Sequence, residues 1–235
     1  MKRISQALRP LKRSIQLSVG FAALLWLIWM VATLLGLSLH QWGIYPRELS
    51  GAWGILTAPL IHGSASHLAA NSTGVVVLGA ALLYGYPNSR WKVLAIIWLV
   101  AGVGVWLTGR GSYHFGASGL THGLFFFLLV GSLVRRDGRS IALMMVAFFM
   151  FGGMLYGVLP RDPSVSFESH LFGGVGGVLA ALWYGRADPL PPRKRYQWEQ
   201  SDDDPTDGLW QQEPEQDEAR EQFRQAQRER LNRHS

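Results

Sequence analysis

The sequence predicts an all-α membrane protein, a bundle of six transmembrane helices with an interfacial outer loop and a polar C-terminal tail. Residues 14–185 hold only eight basic and four acidic side chains, 12 of 172 positions or about 7%, whereas soluble domains average roughly 25%. Long apolar runs fill this region, and short Lys/Arg clusters separate them. The chain is therefore divided into a basic N-terminus (1–13), a membrane domain (14–185) and a polar tail (186–235).

The apolar runs have the length that a bilayer requires, about 17 to 25 residues for each helical crossing. The first run follows the basic N-terminus and is too long for the core of a signal peptide, so we expect it to stay attached as an anchor. An even number of spans places both termini on one side. The six predicted spans are 14–38, 66–85, 91–108, 117–134, 140–158 and 167–185.

Orientation follows from the distribution of Lys and Arg, which are enriched in cytoplasmic loops. The N-terminus, the turns near residues 90 and 136 and the start of the tail (186–195) together carry 14 of these residues, whereas the opposite connections carry three, Arg47, Arg110 and Arg161. Both termini are therefore predicted to be cytoplasmic. The compact six-span layout, without eukaryotic targeting features, favours a multi-pass protein of the bacterial inner membrane.

The segments outside the spans differ in character. The long outer connection, 39–65, contains Trp42, Tyr45 and Trp53 among small and apolar residues, so we expect it to lie in the membrane interface. It either shapes a site or only anchors the protein in lipid. The tail contains three prolines before residue 193 and an acidic run at 202–207, and we expect it to be disordered.

Composition excludes several classes of function. The chain has no cysteine, which excludes disulfides, iron–sulfur clusters and thiolate zinc sites. Its basic clusters form no continuous face, so no nucleic-acid partner is expected. No span has an interior Asp or Glu and no HExxH motif is present, which excludes aspartyl intramembrane proteolysis and that type of zinc chemistry. We expect no metal and no other cofactor.

A few polar side chains interrupt the predicted spans, and such residues are costly in lipid and usually functional. His67 and Asn71 are four residues apart, on one face of the second span. Counting 1.5 Å per residue from the cytoplasmic ends of their spans places Ser118 and His170 at a similar depth, roughly 25 Å from that boundary. His67 and Asn71 fall near the same level. Spans two, four and six are thus predicted to converge there.

Glycines accompany two of these residues. Gly116 and Gly119 flank Ala117-Ser118, so a tight turn can leave the serine hydroxyl unobstructed at a helix start with free backbone N–H groups. Gly173 and Gly177 follow His170 at GxxxG spacing, which lets another helix approach closely. Taken singly, a helix-start serine is usually a cap and a histidine in a span usually bonds another helix. Their joint occurrence at one depth is much harder to explain structurally.

Together these motifs resemble those of the rhomboid intramembrane serine proteases: His-x-x-x-Asn in span two, Gly-x-Ser-Gly opening span four, and His-x-x-Gly-x-x-x-Gly in span six. The match covers residues 14–185. The resemblance implies that Ser118 is the nucleophile and His170 its general base. It also implies an oxyanion hole formed by His67, Asn71 and the Ser118 backbone N–H, and substrates that are membrane proteins with a transmembrane segment.

Other residues near the motifs leave alternatives open. His122 lies four residues after Ser118, where the family often has an aromatic residue against the catalytic histidine. We favour packing beside His170, with direct chemistry as the alternative. Glu168 is nearby but faces another direction at i, i+2, so it is rejected as a third member of a triad. His62 and His114 are interpreted as hydrogen-bonding residues of the outer loops.

Three other functions remain as alternatives. The first is a catalytically inactive rhomboid-like protein that binds membrane helices, against which the intact Ser118 and His170 argue. The second is a channel or transporter, disfavoured because no inverted repeat and no buried coupling charge is evident. The third is a specialised enzyme that processes C-terminal sorting tails of exported proteins, which only its substrates would distinguish.

Overall fold

The computed structural model describes residues 2–162, 165–190, 221, 224 and 225. The chain divides into two compact units, Met1–Pro191 and Pro192–Ser235. The first unit contains every element discussed below. The predicted disorder of the tail falls, from residue 191 onward, almost entirely outside the described residues.

The described part of the chain is helical and contains no strand, although an isolated bridge pairs Ile44 with His114. Short 3-10 turns at His40–Trp42, Leu49–Gly51 and Ala58–Leu60 cross the outer connection. The α-helices are α1 (Lys2–Leu34), α2 (Gly54–Thr57), α3 (Ala65–Gly85), α4 (Arg90–Thr108), α5 (Ser118–Arg135), α6 (Gly138–Phe151), α7 (Met154–Gly157) and α8 (Phe167–Tyr184).

A helix occupies the position of each predicted span, and four of these helices are long and apolar enough to cross a membrane. α6 has only 14 residues, and α8 begins with a polar first turn that contains Glu168 and His170. The fold is thus an all-helical membrane fold, while the count of six spans stays a prediction. The four qualifying segments are Arg9–Leu34, Ala65–Gly85, Arg90–Thr108 and Ser118–Arg135.

Glycines set two helix ends that differ from the predicted ones. α1 ends at Leu34, not at residue 38, because Gly36 has a φ of 64° and Leu37 N–H bonds to the Ala32 carbonyl, a Schellman end. The predicted span 140–158 is interrupted at Gly152 and Gly153, so that α6 stops and the short α7 begins. α1 also begins earlier than the predicted first span, within the basic N-terminal segment.

α5 and α8 pack against each other at backbone distance. The carbonyl oxygens of Gly119 and Gly123 occupy the positions that Cβ atoms on Gly173 and Gly177 would need. A Cβ on Gly119 would in turn lie 2.9 Å from the Ser169 carbonyl oxygen. Because small residues allow such close approach, the first turn of α5 lies directly beside the first turn of α8.

Large apolar side chains on α3, α4 and α5 form the main core, with α6 and α8 closing it. Nearly all of them are fully inaccessible to solvent, so burial holds α5 in the centre of the bundle. The most buried members are Leu78, Leu82, Tyr86, Val93, Ile97, Leu124, Phe125, Phe127 and Leu128.

A polar network closes the end of the bundle opposite to Ser118. The buried Arg135, at the end of α5, donates to the carbonyls of Gly85 and Pro189 and pairs with Asp137 at 2.6 Å. Asp188 accepts hydrogen bonds from the backbone N–H groups that precede α4. The ends of α3 and α5, the start of α4 and the segment after α8 are thereby joined.

Candidate active site

Ser118 is the first residue of α5 and follows a constrained turn. Gly116 has a φ of 117°, a conformation that favours glycine. Its N–H donates to the Ala58 carbonyl at 2.8 Å, and Ala117 N–H donates to His62 Nε2 at 3.3 Å. Since Ala117 at the N-cap has no side-chain acceptor, the first-turn N–H groups of α5 lack a side-chain cap.

His67 and Asn71 face this turn from α3. A Cβ on Gly116 would lie 2.9 Å from His67 Nε2 and 3.5 Å from Asn71 Nδ2. Ser64 caps α3 by accepting the His67 N–H, which fixes the first turn that carries the imidazole. Asn71 is only 6% exposed, yet its Nδ2 donates to no described residue. Two side-chain donors therefore lie against the loop that leads into Ser118.

His170 lies in the first turn of α8 and is oriented by a backbone carbonyl. Its Nδ1 is 2.9 Å from the Gly157 oxygen of α7. A carbonyl only accepts, so Nδ1 carries the proton and Nε2 of the neutral ring is left as an acceptor. Gly157 was not identified from the sequence, because the contact depends on the break in the fifth predicted span.

The His122 ring stacks on the His170 ring, with centroids 3.9 Å apart and planes 7° from parallel. His122 Nδ1 is 2.8 Å from the Ser118 carbonyl, so it donates there. Its Nε2 is buried without a hydrogen-bond partner among the described residues. A Cβ on Gly157 would lie 2.5 Å from that atom. His122 thus connects the backbone of Ser118 with the His170 ring.

One cavity of about 710 Å³ brings together His67, Asn71, Ser118, His122 and His170. In the described residues no hydrogen bond joins Ser118 Oγ to His170, and such contacts are commonly looser before substrate binds. No group of three or more His, Asp or Glu side chains suited to a metal occurs in this part of the chain. The lining includes His67, Asn71, Ser118, His122, His170, Arg110, Ser112, His114 and Ser166.

The sequence predicts no buried acid near the site, and this prediction is wrong for Glu168. The residue is only 4% exposed. Its carboxylate pairs with Arg110, whose Nε lies 2.7 Å from Oε1. The acid is buried because Arg110, in the connection between α4 and α5, neutralises it, a tertiary contact that residue spacing does not reveal. No hydrogen bond among the described residues joins Glu168 to the His170 ring.

His62 and His114 bond to backbone and loop groups. Burial, together with the nearby His67 ring at a centroid distance of 5.2 Å, lowers the pKa of His62 to about 4. A neutral His62 can accept the Ala117 N–H. His114 Nε2 lies 3.0 Å from the Arg110 carbonyl and Nδ1 2.6 Å from Ser166 Oγ. The first contact requires Nε2–H, so Nδ1 accepts the Ser166 hydroxyl proton.

Comparison with known proteins places the chain in a family. Residues 49–187 match the Rhomboid domain. The uncharacterized protein Rv1337 of Mycobacterium tuberculosis is 42% identical over 171 residues, covering 68% of this chain and 71% of that protein. The uncharacterized protein ML1171 of Mycobacterium leprae is 40% identical, covering 68% and 67%. The putative rhomboid protease YdcA of Bacillus subtilis is 28% identical over 134 residues, covering 55% and 66%.

The all-helical membrane fold and the shared cavity define a membrane protein with a candidate functional site. The chain belongs to the rhomboid family, whose members are generally serine intramembrane proteases.

Proposed function

We propose that the protein is an intramembrane serine endopeptidase that cuts a transmembrane segment of its substrate near the outer face of the membrane. The observation that supports this most strongly is the single cavity shared by Ser118, His170, His67 and Asn71. Four residues from three separate helices line one space. A purely structural role for each of them does not account for this convergence.

In the proposed acylation step, His170 Nε2 takes the hydroxyl proton of Ser118 as Oγ attacks the scissile carbonyl carbon. The carbonyl electron pair moves to oxygen and gives a tetrahedral oxyanion. When that pair returns, the C–N bond breaks and His170 transfers the proton to the leaving amine. Water then attacks the acyl-enzyme by the same route, which releases the acid product and restores Ser118. The Gly157 carbonyl supports this role by holding His170 in the tautomer with a free Nε2.

The oxyanion is proposed to be stabilised by His67, Asn71 and the Ser118 N–H. Asn71 Nδ2 is a buried donor without a described partner, so it can bind an oxygen that appears only during the reaction. The uncapped first turn of α5 adds backbone N–H groups and the positive end of its dipole. Loss of one such donor typically lowers kcat by about 100- to 1,000-fold.

The proposed substrates are membrane proteins, since the site sits among apolar helices. A helical peptide bond is hydrogen-bonded and shielded, so the substrate has to unwind locally before attack. Small or helix-weakening residues near the outer boundary should therefore favour cleavage. The proposed location is the bacterial inner membrane, with both termini cytoplasmic.

A fluorophosphonate probe tests the proposed nucleophile directly. The purified protein is incubated with the probe in detergent, and the modified peptide is identified by mass spectrometry. We expect modification at Ser118, its loss in Ser118→Ala, and its retention in Ser112→Ala, a control that changes another serine of the same cavity. Labelling of Ser118→Ala equal to that of the wild type would contradict the assignment, and absence of labelling in the wild type would favour an inactive helix-binding protein.

A further inference from the structure

The two residues of the proposed dyad lie on separate helices, Ser118 at the start of α5 and His170 in the first turn of α8. Catalysis requires that the contacts between these two segments keep the side chains at a fixed distance. Ser118 directly follows the connection 109–117. A displacement of about 1 Å between reacting groups can lower the rate of a reaction by roughly 100-fold. The contacts between this connection and the start of α8 are therefore candidates for control of catalysis.

Arg110 and Glu168 form the most extensive of these contacts. The guanidinium Nε and Nη2 of Arg110 donate to the two carboxylate oxygens of Glu168 at 2.7 and 3.2 Å, and the Arg110 backbone N–H reaches Oε1 at 3.3 Å. Nη2 also donates to the Val165 carbonyl at 2.7 Å. The guanidinium lies over the Phe167 ring, 5.3 Å from its centroid. Arg110 thus contacts Val165, just before α8, and both Phe167 and Glu168 in the first turn of α8.

A second set of hydrogen bonds continues this connection toward Ser118. His114 accepts from Ser166 and donates to the Arg110 carbonyl. Ser166 caps α8 by accepting the Ser169 N–H at 3.3 Å. Beyond His114, Gly116 and Ala117 are held by the outer connection. The backbone from Arg110 to Ser118 is therefore fixed at several points, and Glu168 provides its charged anchor on α8.

We propose that Arg110 and Glu168 are a positioning pair that sets the placement of Ser118 relative to His170. The inference rests on the proposed function, because it concerns the same reaction. Glu168 is two residues from His170, and both of its carboxylate oxygens accept hydrogen bonds from Arg110. The pair acts through the two segments that it joins and does not touch the reacting atoms.

The pair has the properties expected of such an anchor. The Glu168 side chain is 6% exposed and that of Arg110 is 42% exposed. The carboxylate is therefore shielded from water, whereas its guanidinium partner is partly accessible to solvent. The planar guanidinium meets the carboxylate through two N–H groups, a geometry that a lysine does not reproduce. Loss of either partner removes the anchor.

The test compares Glu168→Gln with the wild type for cleavage of a fluorescently labelled transmembrane peptide in liposomes, at matched concentrations of folded protein. Glu168→Gln removes the charge and keeps nearly the same shape. We expect kcat to fall by about 10- to 100-fold while KM stays within about twofold, because binding of the peptide is unaffected. The rate of fluorophosphonate labelling at Ser118 should fall in parallel. Glu48→Gln, which changes an exposed acid of the outer connection, should leave both rates unchanged.

Arg110→Lys provides a second variant that retains the charge and loses the paired geometry. It should give an intermediate kcat and an intermediate labelling rate, including in the case where Glu168→Gln fails to fold. Wild-type kcat and labelling in either variant, or a change confined to KM, would overturn the positioning role. If the wild type itself neither cleaves the peptide nor reacts with the fluorophosphonate, the proposed function fails, and the inference fails with it.

Discussion

Backbone carbonyls orient two of the histidines at the candidate site. His170 donates to Gly157 and His122 donates to Ser118, so each neutral ring keeps its proton on Nδ1. In catalytic triads an acid commonly performs this orienting function. Here the nearby acid, Glu168, binds Arg110. A Ser–His dyad oriented by a peptide carbonyl is the arrangement that these contacts support.

Gly157 gives a prediction about this arrangement. In Gly157→Ala the new Cβ would lie 2.5 Å from His122 Nε2, so the stacked rings or the Gly157 carbonyl have to move. We expect cleavage and fluorophosphonate labelling to fall by about tenfold or more. The control is Gly153→Ala, where a Cβ has no atom within 4 Å, and it should retain wild-type rates. Equal rates in both variants would show that Gly157 does not position His170.

His62 gives a prediction about pH. Its pKa is about 4 in the folded protein and about 6.5 in the unfolded chain. Between these values the unfolded state binds the proton and the folded state does not, so this contribution to stability is complete above pH 6.5 and is lost as pH falls toward 4. The loss amounts to as much as about 3 kcal/mol.

Melting temperatures at pH 7 and pH 4.5 test this behaviour of His62. His62→Gln keeps an acceptor for the Ala117 N–H and does not titrate, so its Tm should fall less on acidification than that of the wild type. The control is His40→Gln, which changes an exposed histidine. Its Tm should fall on acidification by as much as the Tm of the wild type. An identical fall for His62→Gln and wild type would contradict the lowered pKa.

Among elements, α5 and α8 determine the relation between the proposed nucleophile and base. Gly173 and Gly177 contact the carbonyls of Gly119 and Gly123, so the two helix backbones touch along two turns. Close helix approach through small residues is a known mode of packing in membranes. The glycines of α8 therefore have a packing role that extends to the geometry of the site.

Gly177→Ala tests the packing of these two elements. The added methyl group would overlap the Gly123 carbonyl, so α5 and α8 have to separate. We expect a destabilisation of about 1 to 3 kcal/mol, seen as a lower Tm in detergent. The same substitution at Gly20 of α1, where nothing lies within 4 Å, should not lower the Tm. A Gly177→Ala protein as stable as Gly20→Ala would show that the close approach is not required.

Sequence patterns located the helices better than their ends. Apolar runs indicate where a helix lies because their length matches the bilayer. The Schellman end at Gly36 and the break at Gly152 depend on backbone conformation, which hydropathy does not report. For the site, residue spacing predicted which side chains lie at the same depth in the membrane. Residue spacing could not predict the contact between Gly157 and His170 or the Arg110–Glu168 pair, since each joins segments that are distant along the chain.

On the scale of the whole molecule, the charge distribution predicts how the protein lies in the membrane. The 14 to 3 excess of Lys and Arg predicts that both termini are cytoplasmic. Arg135 and Asp137 lie at one end of the bundle, and Ser118 lies at the other end of α5. In this orientation the cavity is near the outer face.

Single-cysteine labelling tests the orientation of α4 in the membrane. The chain has no cysteine, so each introduced residue is the only thiol. Asn88→Cys and Ser112→Cys occupy exposed positions at opposite ends of α4. In intact cells a membrane-impermeant maleimide should modify Ser112→Cys and should modify Asn88→Cys only after lysis. The reverse pattern would contradict the predicted topology.

The central claim is that Ser118 and His170 act together to cut a membrane-embedded peptide. The most direct measurement is cleavage of a fluorescently labelled transmembrane substrate in liposomes by wild type, Ser118→Ala and His170→Ala at matched folded concentrations. We expect the wild type to cut the substrate, and both variants to lose at least about 1,000-fold in kcat. Cleavage by either variant at the wild-type rate would contradict the dyad, and His122 would then be the next base to test.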